Sequence, residues 1–556
     1  MRRTSTVQAP SDLAMESRLM RKILHQGPVV PRPLLDGSAR LWRRLADAKG
    51  SVAIQFAFVA LPLAVLTFGA FDYNRATVAQ QHLQDALDAG NLLAAHSAAV
   101  TDTDLQTIGQ PAVTSNLASL RDVTFVSSTF HANGAYIDAT ATATVTPIIA
   151  NLWLGGPMTV TASSEVVRTL QKMEVALVLD NTGSMAQSLG SGTKISTLKT
   201  AANSLVTTLS TAAARSSDPN AVKFAVVPFS ETVNVGSTYQ NAAWMKGVMP
   251  VAYGSDLFTT ASTNRFTLLS NMGMTWGGCV ESRPAPYDIQ DTAPVASTPA
   301  TYFVPFFAPD EPDDGKVTFN GSKINFENNY ITNDGTNSSS WSTRQGKNSK
   351  YNGSNLVGGA SNAGNGPNEG CATAPVLRLT TNSSTVTTTL NSMVATGNTN
   401  VAMGLMWGWH ALSPNAPFAD GAAYNTPNLG KIIVLLTDGD NTNDVYNNNN
   451  YSIYTGIGYI WQGRLIDTSG VPLGTSSTGT DRMDAIDGRE LALCANMKAK
   501  GIIIYTVGLG VSAHSSGLLQ TCASGSDHYY NVTDVAQLQG VFNGIAGSIQ
   551  NLRISK

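Results

Sequence analysis

Charged residues are scarce in this chain of 556 residues, because Asp, Glu, Lys and Arg make up only 13% of it, against about 25% in an average soluble protein. The phosphate-binding pattern GxxxxGK[S/T] is absent, and so is the serine-nucleophile pattern GxSxG. These absences argue against a P-loop nucleotide site and a serine hydrolase. Asn, Thr, Ser and Gly take the place of the missing charges, a composition that favours a location outside the cytosol.

The net charge of −3 hides an uneven distribution of charge. Residues 1–50 hold ten Lys and Arg against four Asp and Glu, so the remainder of the chain is acidic. The basic residues precede an apolar segment and do not form the footprint of a nucleic-acid interface. The sequence therefore predicts no nucleic-acid partner.

The apolar segment Val52–Phe71 is 20 residues long and carries no charge. It is long enough to cross a bilayer, whereas the apolar core of a signal peptide has about 7–15 residues. Four basic residues precede it, and Asp72 follows it. The positive-inside rule then places the N-terminus in the cytoplasm and the rest of the chain outside. A buried core helix is the alternative interpretation.

The chain has only four cysteines, and no CxxC pair indicates a zinc site. All four follow the apolar segment, where an oxidising environment permits disulfides. Of the three pairings open to four cysteines, we favour Cys279–Cys371, which lie in one Gly- and Asn-rich insert. Cys494–Cys522, which flank one helix–strand unit, would form the second bond. Four free buried thiols are the alternative.

The hydrophobic pattern divides the chain into segments of different character. A helix is expected to continue to about His96, and an alternating stretch such as AYIDATATATV predicts a half-buried strand. Later, apolar strands alternate with helical patterns, which predicts an α/β fold with a doubly wound, mostly parallel sheet. The predicted domains are a cytoplasmic basic tail at 1–49, a transmembrane helix at 50–71, an α+β stalk at 72–170 and the α/β domain at 171–556.

The α/β domain is interrupted by a long insert at 235–375 and a shorter one at 441–488. We expect the long insert to be partly disordered around Asn333–Asn368. Within the domain, the predicted strands are Met173–Asp180, Val222–Ser230, Lys431–Thr437 and Gly501–Gly510, and the predicted helices include Val376–Ala395 and Arg489–Lys500. In the stalk, the predicted strands are Val123–Thr129, Ala135–Thr146 and Met158–Leu170.

Oxygen-bearing side chains follow two of these predicted strands. Asp180, Thr182 and Ser184 lie on one tight turn after the first strand, and Asp438 ends a later strand. Thr399 stands at the start of a helical run. Ligands of open α/β sheets bind beyond the carboxyl ends of the strands, and such oxygens suit a hard cation. The alternative is that these residues only cap helices and turn the chain.

Asp180, Thr182, Ser184, Thr399 and Asp438 resemble the metal-ion-dependent adhesion site of von Willebrand factor A domains. The resemblance implies that Thr182, Ser184 and Thr399 ligate the metal directly and that the two acids balance charge, partly through water. It implies Mg²⁺ as cofactor, or Mn²⁺ or Ca²⁺, with one coordination place open to a carboxylate of a protein partner. Thr182 stands where Ser is commoner. We expect Asp180 to lie near a surface cleft and to contribute little to core packing.

Several other stretches resemble TadG-like pilus assembly proteins with a TadE- or pilin-like anchor. These stretches are FAFVALPLAV in the anchor, WGGCVESR, CANMKAKGIIIYTVGLG and FNGIAGSIQNLRIS. The resemblance implies a single-pass protein of the bacterial inner membrane, with its bulk in the periplasm or at the cell surface. Gln55 occupies the place where prepilins carry Glu, so a plain anchor is preferred to cleavage after Gly50.

Three classes of function remain open at this point. The first is a pilus assembly protein that contacts a pilus or secretion-system component through the metal. The second is a surface adhesin that binds acidic groups of a host or matrix with the same site. The third is a metal-assisted hydrolase, which we disfavour because no base or nucleophile is positioned beside the oxygen set. We therefore expect a protein that is not an enzyme.

Overall fold

A computed structural model describes residues 51–554, apart from 98, 100, 134–135, 149–155, 168–171, 191, 215–217, 251–256, 259, 261, 313–316, 325, 333–340 and 362–364. The predicted tail at 1–49, and Gly50 with it, lie outside the described residues. By the density of its contacts the chain divides into two compact units. Of the described residues, one unit comprises those up to 81 with those of 144–160, and the other comprises those of 82–143 with those from 161 onward.

The helices and strands are numbered here in chain order. The helices are α1 (Ser51–His96), α2 (Asp102–Leu117), α3 (Lys194–Ala214), α4 (Arg265–Asn271), α5 (Trp341–Gln345), α6 (Ser383–Ser392), α7 (Val401–Leu412), α8 (Gly479–Ala499), α9 (Ala513–Cys522) and α10 (Val535–Ile554). The strands are β1 (Val123–Asn133), β2 (Tyr136–Val145), β3 (Met158–Val167), β4 (Lys172–Asp180), β5 (Ser188–Leu189), β6 (Gly192–Thr193), β7 (Val222–Phe229), β8 (Val233–Asn234), β9 (Cys279–Val280), β10 (Val317–Phe319), β11 (Ser322–Ile324), β12 (Leu377–Thr380), β13 (Leu429–Thr437), β14 (Ile502–Leu509) and β15 (Tyr529–Val532).

Helix α1 continues without interruption from the apolar segment Val52–Phe71 to His96, as the sequence predicts. Its stretch from Phe56 onward is long enough and apolar enough to cross a membrane. Large apolar side chains such as Phe56, Phe58 and Leu61 are more than two-thirds exposed. Exposed apolar side chains all around a helix suit contact with lipid tails.

Strands β1, β2 and β3 form a sheet in that order. Each of the three matches a predicted strand to within a few residues. Helix α2, which the sequence analysis did not predict, is capped by Thr101, whose side chain accepts a hydrogen bond from the Asp104 N–H. This cap and the acidic first turn were the signals for it.

The α/β domain is built on one large sheet with the strand order β15–β14–β13–β4–β7. Neighbouring strands in this run are parallel, whereas β12 and β8 pair antiparallel with β7. This arrangement confirms the predicted doubly wound, mostly parallel sheet. The domain boundaries and the limits of the inserts stay predictions.

Alternate residues of the central strand β4 face two apolar cores. Leu177 lies in the core that includes Leu198 of α3 and Phe542 of α10. Val178 lies in the other core, which includes Trp407 of α7 and Leu493 of α8. Helices therefore cover both faces, as the near-continuous apolar sequence of the strand requires.

The long insert packs onto the core that contains α7. Trp244 and Phe303 from the insert are buried there, and both rings contact Trp407, with centroid distances of 6.3 and 5.1 Å. The predicted disulfides Cys279–Cys371 and Cys494–Cys522 are both formed.

The described part of Asn333–Asn368 is folded, because it contains helix α5 and because Tyr351 is only 1% exposed; aromatic burial outweighs the polar composition there. The expectation of partial disorder around this range stays a prediction, because 333–340 and 362–364 lie outside the described residues.

One prediction for this region was wrong. The predicted helix over Val376–Ala395 is replaced by strand β12 followed by helix α6. The Asn382 side chain accepts hydrogen bonds from the Ser384 and Thr385 N–H groups, which fixes the start of α6 after the strand.

Candidate functional site

Asp180 ends β4 and is fully buried. Its Oδ1 accepts a hydrogen bond from the Thr182 N–H at 2.7 Å. Its Oδ2 accepts one from the Thr437 hydroxyl at 2.6 Å and a longer one from the Asp438 N–H at 3.4 Å. The expectation that Asp180 contributes little to packing was therefore wrong. The side chain joins the adjacent strands β4 and β13 at their carboxyl ends.

The hydroxyls of the turn connect to the second acid through short hydrogen bonds. Thr182 Oγ1 and Ser184 Oγ are 2.9 Å apart, and Ser184 Oγ donates to Asp438 Oδ1 at 2.6 Å. Ser184 lies in a 3₁₀ turn, Gly183–Ala186. The structure thus brings together four of the five predicted ligands: Asp180, Thr182, Ser184 and Asp438.

Thr399 lies on the loop that precedes α7 and is buried. Its N–H donates to Thr442 Oγ1 at 3.1 Å, and its carbonyl accepts from the Thr442 N–H at 2.9 Å. The same loop contacts the β4 turn, because the Gly183 N–H donates to the Gly397 carbonyl at 2.9 Å. Thr399 is therefore held by Thr442, on a loop that contacts the β4 turn through Gly397.

Lys194, the first residue of α3, is part of the site and was missed by the sequence analysis. Its Nζ lies 2.8 Å from Asp438 Oδ2, and the lysine side chain is 9% exposed. Ser184 and Lys194 thus occupy the two oxygens of one carboxylate. A lone lysine in a helical pattern carries no signal of this role, because its long side chain reaches the site only in the folded chain.

The site contains two carboxyl groups, Asp180 and Asp438, and one basic side chain, Lys194. Burial, followed by repulsion from Asp438, raises the pKa of Asp180 to about 6. Hydrogen bonds from Thr182 and Thr437 act in the opposite direction. An added positive charge would relieve this repulsion.

The oxygens present fit a hard divalent cation. Carboxylate and hydroxyl oxygens from Asp180, Thr182, Ser184 and Asp438 converge at one edge of the sheet. Ser230 directly follows the neighbouring strand β7, and its buried hydroxyl has no hydrogen-bond partner among the described residues. An ideal Cβ on Gly397, in the Thr399 loop, would lie 3.1 Å from that hydroxyl. One spare hydroxyl oxygen therefore lies against the Thr399 loop.

A separate group on α8 and α9 also places possible metal ligands together. One ligand atom each from Asp484, Asp487 and His514 lies within 4.8 Å of the others. His514 Nε2 is 2.6 Å from Asp487 Oδ2, and this hydrogen bond raises the pKa of His514. The histidine already partners the buried carboxylate, so the group is a salt-bridged cluster in the described structure.

Comparisons with known proteins bear on the anchor and on the fold. Residues 50–90 match the family model described as TadE-like protein. The N-terminal anchor is TadE-like. No curated protein matches the chain. The match to TadE-like proteins thus covers residues 50–90, most of helix α1.

Three solved structures that the chain resembles illustrate the range of its distant likeness. The pilus adhesin SpaC from Lactobacillus rhamnosus GG is 12% identical, with a TM-score of 0.31 over 77% of this chain and 34% of SpaC. The von Willebrand factor domain of the type V pili tip protein Mfa5 from Porphyromonas gingivalis is 10% identical, with a TM-score of 0.32 over 70% of this chain and 97% of that domain. Proximal thread matrix protein 1 from the mussel byssus, with a zinc-occupied MIDAS motif, is 10% identical, with a TM-score of 0.27 over 69% of this chain and 46% of that protein. This chain therefore spans about a third of the length of SpaC.

Proposed function

We propose that this protein is a single-pass membrane component of a bacterial Tad/Flp-type pilus assembly system, and that its α/β domain binds a protein partner through a divalent cation. The TadE-like match at 50–90 supports the pilus assignment. The hydrogen-bonded run from Thr182 through Ser184 to Asp438, with Asp180 buried behind it, carries the metal assignment.

In this proposal Thr182, Ser184 and Thr399 supply hydroxyl ligands, and Asp180 and Asp438 supply negative charge. Mg²⁺ suits this set of hard oxygens, and Mn²⁺ and Ca²⁺ share its preference. The bound ion would offer one coordination place to an Asp or Glu carboxylate of a pilus or secretion-system component. The protein residues orient that contact and hold its charge balance, and no chemical reaction is assigned to the site.

The proposed location is the bacterial inner membrane, with the N-terminus in the cytoplasm and the α/β domain in the periplasm or at the cell surface. The basic residues before the apolar segment and Asp72 after it support this orientation. The two disulfides lie in the part of the chain that this orientation places on the oxidising side.

Metal binding is tested by titrating Mg²⁺ and Mn²⁺ into the full-length protein in detergent, using calorimetry. Ser184→Ala removes one ligand oxygen and the hydrogen bond to Asp438 without enlarging the side chain. We expect its affinity to fall by at least about tenfold, or 1.4 kcal/mol. The matched control is Ser196→Ala, which makes the same change at a serine of α3. This variant should bind the ion like the wild type.

Lys194→Met provides a test in the opposite direction. In the wild type the ammonium group of Lys194 competes with a bound ion for Asp438 Oδ2. Lys194→Met removes this group and should tighten metal binding several-fold. Absence of binding by the wild type, or equal affinities of wild type and Ser184→Ala, would refute the metal site.

Deletion of the gene, with complementation by the wild type or by Ser184→Ala, tests the pilus assignment. We expect loss of surface pili in the deletion strain and in the Ser184→Ala strain. Normal pili together with weaker attachment to acidic surfaces would instead support the adhesin alternative. Normal pili and normal attachment would reject both.

A further inference from the structure

A cavity lined by four glutamates lies near the end of β7, and its lining includes none of the carboxylates described above. Its volume is about 80 Å³, and its glutamates are Glu231, Glu311, Glu327 and Glu369. The remaining lining residues among the described part of the chain include tyrosines, Asn328 and apolar groups, and none of them is Lys, Arg or His. Four carboxylates thus share a small space whose wall contains no basic side chain.

One of the four carboxylates is fully held by hydrogen bonds. Glu311 Oε1 accepts from the Tyr459 hydroxyl at 2.8 Å and from Asn450 Nδ2 at 2.9 Å. Its Oε2 accepts from the Asn328 N–H at 3.0 Å. Burial raises the pKa of Glu311, and these three hydrogen bonds oppose that rise.

Two other carboxylates are buried with less support. Glu231 is 5% exposed, and its Oε2 accepts from the Asn398 N–H at 2.8 Å. Glu369 Oε2 is buried and has no hydrogen-bond partner among the described residues. Burial is the main cause that raises the pKa of each group to about 7, and neighbouring glutamates add to the rise.

Asn328 supplies an observation independent of the acids. It is 7% exposed, and its Nδ2 donates to the carbonyls of Pro309 at 3.3 Å and Gly366 at 3.0 Å. Two carbonyl partners fix which end of the amide carries the nitrogen. Oδ1 of this cavity-lining residue is therefore fixed in place, and it has no hydrogen-bond partner in the described structure. A buried amide oxygen without a partner calls for a donor or a cation.

We propose that this cavity binds Ca²⁺ through the carboxylates of Glu231 and Glu369, the amide oxygen of Asn328 and one or both of the other glutamates. Ca²⁺ takes six to eight oxygen ligands, including carboxylates, amide oxygens and water. The wall offers such oxygens and no nitrogen or sulfur ligand of the kind that zinc prefers. The volume of about 80 Å³ accommodates the ion and some water, at about 30 Å³ for each water molecule.

This ion would join three separate segments of the domain. Glu231 follows β7, Glu369 lies two residues before the disulfide-bonded Cys371, and Asn328 belongs to the middle of the long insert. Glu231 also holds Asn398, the residue before Thr399. Binding should therefore stabilise the insert and the loop that carries Thr399.

The test uses the full-length protein in detergent, stripped with EGTA and titrated with Ca²⁺ by calorimetry, with thermal unfolding followed in parallel. The double variant Glu231→Gln/Glu369→Gln keeps the side-chain volumes and removes two charges. We expect wild-type protein to bind Ca²⁺ with an increase in unfolding temperature, and the double variant to bind at least tenfold more weakly with no such increase. Ser184→Ala and Asp484→Asn are the controls and should both keep this Ca²⁺ site.

Thermal unfolding in EGTA shows whether the double variant folds. It should unfold at the same temperature as the wild type or higher, because two acidic groups that face no basic side chain across the cavity have been removed. A lower unfolding temperature in EGTA would overturn the proposal. So would an unchanged Ca²⁺ response of the double variant, or a loss of the response only in Ser184→Ala or Asp484→Asn.

Discussion

At the residue scale, burial raises the pKa of several carboxyl groups in the α/β domain. Glu490 on α8 is fully buried, and its Oε2 accepts a hydrogen bond from Asn441 Nδ2 at 2.8 Å. The same amide nitrogen donates to Asp487 Oδ1 at 2.8 Å. Burial first and Asp487 second raise the pKa of Glu490 to about 8, although the Asn441 hydrogen bond lowers it. Its proton is therefore retained in the folded chain at pH values where the unfolded chain has lost it.

This raised pKa predicts a pH-dependent loss of stability. Between the ordinary value of 4.5 and about 8, the folded chain binds more protons at Glu490 than the unfolded chain. The contribution of Glu490 to the free energy of unfolding therefore falls as the pH rises through this window, by up to about 1.4 kcal/mol per pH unit. Glu490→Gln should match the wild type near pH 5 and exceed it in unfolding temperature at pH 8. Parallel pH profiles of the two proteins would contradict this assignment.

Residues of the site differ in how far the sequence could predict them. Asp180, Thr182, Ser184 and Asp438 could be placed together because a strand pattern fixes where each strand ends, and parallel strands end at one edge. The burial of Asp180 and the ion pair of Lys194 depend on side chains packed across elements distant in sequence. The same holds for the glutamate cavity, whose four acids are spread over residues 231–369. No local pattern specifies such a cluster.

At the element scale, helix α7 lies very close to the strands beneath it. An ideal Cβ on Gly408 would approach Val178 Cγ2 to 2.4 Å, and one on Gly404 would approach Phe229 Cδ1 to 2.5 Å. Every residue of α7 except Ala402 is buried. Two glycines on one face thus permit the close contact that places the N-terminus of α7, and with it the Thr399 loop, at the edge of the sheet.

Replacing one of these glycines tests the contact. Gly408→Ala should destabilise the protein by about 1–3 kcal/mol, because the methyl group overpacks the helix–strand interface. Gly544→Ala on α10 is the matched control, since a Cβ there meets no atom within 4 Å. That control should be neutral or more stable by about 0.5–1 kcal/mol, because alanine favours a helix over glycine. Thermal unfolding of both variants in detergent measures the difference, and equal shifts would argue against the proposed packing.

The accuracy of the element predictions follows from the strength of each local signal. Strands β4, β7, β13 and β14 were predictable because each is a long apolar run of a buried parallel sheet. Strand β12 was not, since its four residues are half-buried and Arg378 within it pairs with Asp420. Helix α8 begins at Gly479 rather than Arg489, because Thr478 and Asp481 form a capping box upstream of the predicted start.

At the scale of the whole molecule, the charges around the apolar segment and the positions of the disulfides both bear on the orientation of the protein in the membrane. The α/β domain contains both disulfides, Cys279–Cys371 and Cys494–Cys522. Disulfides persist in the bacterial periplasm and at cell surfaces, and are rare in the cytosol. The basic residues lie on the other side of the apolar segment. Charge and redox chemistry, which are independent of each other, therefore favour the same orientation in the membrane.

The accessibility of the two ends of the chain to protease tests this orientation. We expect protease added to spheroplasts to digest a C-terminal epitope and to spare an N-terminal one, because the positive-inside rule retains residues 1–49 in the cytoplasm. Replacing Arg40, Arg43, Arg44 and Lys49 with Gln removes the charge step across α1, and should give a population in which the N-terminal epitope becomes accessible. In that inverted population the reducing cytosol would leave the four cysteines free to react with a membrane-permeant maleimide, whereas the disulfide-bonded wild type would not react.

Protection of the C-terminal epitope together with reactive thiols in the wild type would show the opposite orientation. That result would place both the proposed metal site and the glutamate cavity in the cytoplasm, where neither could contact surface pili.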